Sequence, residues 1–159
     1  MFDLSFRQLL SIILMAALPY IELRGAIPLA ILGYGVHPLL AYVLGVGGNL
    51  IPIIPIMVIL PVLARWAEHS LLIRRFFGWL RKKTSKHELE INKYGFWGLT
   101  VFVAIPLPMT GVWTGSALAY LLGLRKRYVF TALTLGALIA GLIVTLMVVL
   151  GSSIYNIPK

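Results

Sequence analysis

The sequence predicts an all-α integral membrane protein organised as an inverted repeat of two units, each a broken re-entrant helical hairpin followed by a full transmembrane helix. Three observations predict it. Of 159 residues, 60% are hydrophobic and 12% charged, against roughly 25% charged in an average soluble domain, so the apolar surface needs lipid as its solvent. Charge-free stretches run from Pro38 to Ala64, from Tyr94 to Leu124 and from Tyr128 to Pro158, each longer than the ~20 residues that cross a ~30 Å hydrocarbon core. Two of the apolar segments are interrupted near their middle by proline and glycine.

The first unit occupies 1–64. Its hairpin, 8–34, has an apolar arm from Gln8 to Leu18, a break from Pro19 to Gly25 and a second arm to Gly33. Each arm is too short to cross a bilayer unaided. A full span follows over 38–63. The linker 65–93 is basic, and Leu72, Phe76, Trp79 and Leu80 recur at helical spacing among Arg74, Arg75, Arg81, Lys82 and Lys83, the pattern of an interfacial amphipathic helix. It serves as a membrane anchor or recognises anionic headgroups. The second unit occupies 94–159. Its segment 94–124 would be ~46 Å long as one helix, and Pro106 and Pro108 sit near its centre, so a second hairpin is expected there, with a span over 128–150.

Charge orients these elements. Eleven of the 14 Lys and Arg residues lie in 65–93 and in Arg125, Lys126 and Arg127, and positive charge beside spans marks the cytoplasmic side. Both loops are therefore expected in the cytoplasm and both termini outside, in the plasma membrane of the cell. One hairpin then dips in from each side. Sliding the chain on itself by 90 residues puts Gly25 on Gly115 and Gly33 on Gly123, a weak internal repeat.

Several function classes find no support. The net charge of +9 belongs beside lipid rather than nucleic acid, given its place next to apolar spans. With no cysteine, thiolate chemistry is absent. His87-Glu88 opens like a zinc-protease motif, but Ile91 stands where its second histidine belongs. Serine, histidine and acid do not cluster in any one membrane segment. A non-enzyme without metal or cofactor is expected. Its expected partners are membrane lipids and a small-molecule or lipid substrate, with homo-oligomerisation left open.

Broken helices at membrane depth must be buried in protein or line a polar cavity, and paired interrupted segments point to a transport site. Glu22 and Arg24 lie in the first break. Glu22 is the only acidic side chain in a membrane-embedded segment, and intramembrane charge is costly by at least ~2.5 kcal/mol. Glu22 is the candidate proton-coupling residue. Arg24 and Gly25 are substrate-binding candidates, and a structural Glu22–Arg24 ion pair is the alternative. In the second break Thr110, Gly111, Trp113, Thr114, Gly115 and Ser116 offer hydroxyls, freed amides and close backbone approach; they would equally make a small-residue helix-packing motif. Asn49, between Gly48 and Pro52, either lines a cavity or bonds helix to helix. His37 has an interfacial place at the outer boundary.

The run Glu22-Leu23-Arg24-Gly25-Ala26-Ile27-Pro28, followed by Ala104-Ile105-Pro106-Leu107-Pro108-Met109-Thr110-Gly111 and Thr114-Gly115, resembles the small multidrug export protein family, itself similar to the DedA membrane proteins. The DedA likeness implies paired re-entrant hairpins and movement of isoprenoid-phosphate lipid carriers by acidic groups in one hairpin and arginines in the other. Glu22 matches the acidic position and Pro106 the proline, whereas Val103 and Met109 stand at the arginine positions. The expected function is a proton-coupled transporter of a small amphiphile or drug-like solute. The alternatives are a DedA-like translocase of a lipid phosphate and a non-transporting scaffold or lipid-organising protein.

Overall fold

The computed structural model describes residues 5–67, 88–107 and 110–154, with side chains at all of these except 64, 65, 67 and 88–93. The amphipathic helix expected around Leu72 to Lys83 lies outside the described residues. Those described are entirely helical or loop: α1 (Phe6–Ala17), α2 (Glu22–Pro28, prolonged by a π-helical turn, Leu29–Gly33), α3 (Pro38–Leu50), α4 (Ile53–Ala67), α5 (Glu88–Ala104), α6 (Val112–Leu121) and α7 (Lys126–Ile154).

Local chemistry accounts for the ends of these helices. Ser5 caps α1 by accepting from the Gln8 N–H at 3.3 Å while Gln8 Oε1 accepts from the Ser5 N–H at 3.0 Å, a reciprocal capping box. The helix stops at Leu18, whose extended backbone (φ −73°, ψ 142°) is what a residue before proline adopts. The α2 turn closes with the Val36 N–H on the Ala30 carbonyl at 2.9 Å, and Gly35 takes φ +65°, the left-handed helix end that glycine tolerates. Pro38 then opens α3 at its first turn, where its missing N–H costs nothing.

Two stretches are long and apolar enough to cross a membrane, Pro38–Leu63 with 26 residues and Lys126–Ile154 with 29. The second is one helix. The first is turned at Ile51 and Pro52: Pro52 has no N–H to offer the Gly48 carbonyl, and the Ile51 N–H folds back onto it at 3.3 Å instead. Both segments expected to be broken are broken, the first between α1 and α2 and the second between α5 and α6.

The same events recur 88 positions later. Gly35 and Gly123 are the two glycines with positive φ among the described residues, at +65° and +66°. Pro38 and Lys126 open the following helices. Gly48 of α3 lies against the Ile13 carbonyl and Ala16 of α1, and Gly136 of α7 against the Thr100 carbonyl and Val103 of α5. Where Gly45 of α3 receives Ile27 of α2, Leu133 of α7 fits onto Gly115 of α6, so large and small exchange sides of the same contact.

α1 packs on α2 and α3, and α5 packs on α6 and α7. The groups are joined by α3 on α7, α2 on α7 and α4 on α6. A continuous core runs through them from Ile12, Leu23 and Ile27 to Leu99, Val103 and Leu133. The outer faces carry Leu10, Leu14, Val58, Leu142 and Leu146, apolar surface that lipid would cover. The chain is a membrane protein.

Candidate functional site

The two breaks meet. Glu22 begins α2 with φ +51°, the one described non-glycine residue with positive φ. For a residue with a Cβ that conformation costs on the order of 1–3 kcal/mol and persists only where surroundings hold it. Here they do: the Glu22 carboxylate, 5% exposed, accepts the backbone N–H of Trp113. That N–H is at the second position of α6, so the acid of the first break caps the positive end of the helix that leaves the second. Gly111 makes the approach feasible, because a Cβ there would overlap the Glu22 carboxylate.

Arg24 reaches the other lip of the second break. Its Nη1 donates to the Leu107 carbonyl, and its Nη2 donates to Thr110 Oγ1 at 2.9 Å. The Thr110 hydroxyl in turn lies 2.7 Å from the Ile105 carbonyl and 2.8 Å from that of Leu107. These carbonyls follow the end of α5 at Ala104, where helical partners run out and a cation is favoured. Both of these hydrogen bonds of Arg24 go to the second break, and its charge also acts on the Glu22 carboxylate two residues away. Arg24 Nε is buried without an acceptor among the described residues.

Trp113 completes the junction in the opposite direction. Its indole Nε1 donates to the Ala17 carbonyl at 3.1 Å, the last residue of α1. Each half therefore satisfies helix ends that the other half's break exposes. Unpaired backbone groups cannot be left in a lipid-like interior, and hydrogen bonds to charged groups contribute about 1.5–3 kcal/mol each, which offsets part of the cost of burying the two charges.

Of the residues singled out from the sequence, the structure brings together Glu22, Arg24, Thr110, Gly111 and Trp113. Thr114 turns its hydroxyl back to the Gly111 carbonyl at 3.2 Å. Gly115 sits against Leu133 and Val103, and Ser116 is buried with its hydroxyl on the Val112 carbonyl at 2.6 Å. Gly25 faces Ile21 of its own turn. Asn49, 1% exposed, lies in α3 just ahead of the turn at Pro52, apart from the contacts above. Ala17 and Leu107 escaped notice because they act through carbonyls, although each stands within two residues of a proline that follows a helix end, Pro19 and Pro106.

A family model described as "Putative small multi-drug export protein" matches residues 22–143, from Glu22 at the start of α2 through the second break and into α7. The chain belongs to this family. The family description names export, a transport activity rather than catalysis. No curated protein and no solved structure matches the chain.

Proposed function

We propose that this member of the small multi-drug export family is a proton-coupled transporter that carries a small amphiphile through the junction between its two broken helical pairs. The observation that carries the reading is that Glu22 and Arg24, both from the first break, are held on the two lips of the second. Charges at membrane depth are retained where they move ions or substrate. In this reading each broken pair is a re-entrant hairpin, and the recurrence at 88 positions reflects two units of opposite orientation, 1–64 and 94–159, with the 65–93 linker in the cytoplasm and both termini outside.

Glu22 would exchange its proton as it leaves and regains the α6 N-terminus. In the same movement the Glu22 carboxylate would be free to meet a cationic substrate end, and Arg24, freed from Leu107 and Thr110, an anionic one, with Thr110, Gly111 and Trp113 forming the facing wall. Such a site alternates access when one broken pair rocks against the other.

The test uses the purified chain in liposomes with a lipophilic cation, ethidium, as probe. With the liposome lumen made acidic, so that protons leave as the solute enters, the wild-type protein should accumulate ethidium against its gradient. Glu22→Gln keeps the shape and a hydrogen-bonding side chain but cannot titrate, and uphill accumulation should disappear while the folded protein remains. Undiminished uphill movement by Glu22→Gln would remove proton coupling from this residue.

A further inference from the structure

Asn49 is the least explained polar residue of the fold. It is 1% exposed, and its side-chain oxygen is buried with no hydrogen-bond partner among the described residues. An amide oxygen left so is costly in an apolar interior. It stands three residues ahead of Pro52, at the end of α3, where helix carbonyls lose their donors. The Gly48 carbonyl keeps only the Ile51 N–H, at 3.3 Å, in place of the α-helical donor that Pro52 lacks. One unpartnered oxygen thus stands at the negative end of a helix, one residue from a carbonyl whose donor is at 3.3 Å.

The other half shows that the frame does not require this. At the matching positions of α7 stand Ala137 and Ala140, both buried, and that helix runs unbroken from Lys126 to Ile154. Asparagine and proline therefore depart together, within one turn, from an arrangement that alanine fills in the second half. Two costly choices, one leaving a buried amide oxygen unpartnered and the other a carbonyl with one long hydrogen bond, favour an occupant bringing positive charge. Unwound carbonyls at helix C-terminal ends are the membrane setting in which a coupling cation is held. The ligands are neutral amide and carbonyl oxygens, and Glu22 is engaged with Trp113, which suits a single positive charge and not a divalent ion.

We infer that the turn joining α3 to α4 is a sodium site, with Asn49 Oδ1 and the Gly48 carbonyl among its ligands. Gly48 packs on the Ile13 carbonyl and Ala16 of α1, beside Ala17, whose carbonyl receives the Trp113 indole. An ion at Asn49 would brace α3 against the end of α1 that borders the first break. This does not rest on proton coupling at Glu22.

The experiment is thermal unfolding of the purified full chain in detergent, in sodium chloride against choline chloride at equal ionic strength. Sodium should raise the wild-type midpoint by several degrees, saturably, since a ligand bound only by the folded state stabilises it. Asn49→Leu, and Asn49→Ala as the smaller variant matching Ala137, should unfold in choline no earlier than wild type and should lose the sodium response. Equal wild-type midpoints in the two salts would overturn the site and leave a buried water at Asn49. A sodium response that persists in both variants would overturn it as well.

Discussion

In the first half the break presents Glu22 and Arg24; 88 positions later the second half presents Thr110 and Val112. Around these positions the halves share turn glycines, helix starts and crossing contacts. The frame is repeated and the charge is not. Apolar contacts need only the right summed volume, so Ile27 on Gly45 can become Leu133 on Gly115 without loss. A buried charge needs a particular partner, and here the partners are the helix ends of the opposite half. Placing the charges in one break and the open helix ends in the other makes the two halves complementary, whereas identical charged breaks would set like charges together.

The sharpest way to break the comparison is topological and all-or-none. His37 and Arg125 precede the matching helices α3 and α7. With opposite orientation of the halves, a cysteine at His37 should react with an impermeant thiol reagent added outside, while cysteines at Lys126 and Lys83 should stay protected. Cysteines at Ser5 and Asn156 should react. Labelling of Lys126→Cys from outside would show that the two units do not face opposite ways.

Gly111→Val tests complementarity itself. Leu23, the matching residue of the first half, is a buried side chain, but at Gly111 any Cβ displaces the Glu22 carboxylate. Parting the carboxylate from its amide should cost about 1–3 kcal/mol and should abolish ethidium accumulation. A Gly111→Val protein with wild-type unfolding and transport would mean that the junction is incidental.

The apolar frame can be tested by exchange. Gly45→Leu alone overfills the contact with Ile27 and should destabilise by ~1–3 kcal/mol. Adding Ile27→Gly reproduces the second half's arrangement and should recover part of that loss in denaturant unfolding. If the double variant is simply the sum of two losses, the contacts resemble each other without being interchangeable.

The smallest expected effect on folding concerns Arg24, which is half-buried. Arg24→Lys keeps the charge but cannot span the Leu107 carbonyl and Thr110 together, since an ammonium lacks the guanidinium fork. It should lower stability by ~1 kcal/mol and ethidium flux in part, with Arg24→Ala losing more of both. Alanine transporting as well as wild type would confine Arg24 to a passive place.

Much of this was legible in the residues because hydropathy and proline act locally. Apolar runs longer than a bilayer required membrane spans, and Pro19 with Pro106 and Pro108 placed both breaks. Two charges in an otherwise uncharged segment marked Glu22 and Arg24. The turn at Pro52 was also written locally, in Asn49 and Pro52, although a single span over 38–63 was expected. The small residues from Gly111 to Ser116 were ambiguous, since glycine and serine serve close packing and ligand approach equally.

The sequence by itself determined an all-helical membrane chain, two long spans, two interrupted segments and the charged residues that had to find partners. Only the tertiary structure decided who the partners are. Every residue carries a carbonyl and nearly every one an N–H, so the groups left over at Ala17, Leu107 and Trp113 are known only once helices end and halves meet. The positive φ of Glu22 and the clearance at Gly111 belong to the same meeting: each is unfavourable or empty alone, and the contact across the junction is what gives it a reason.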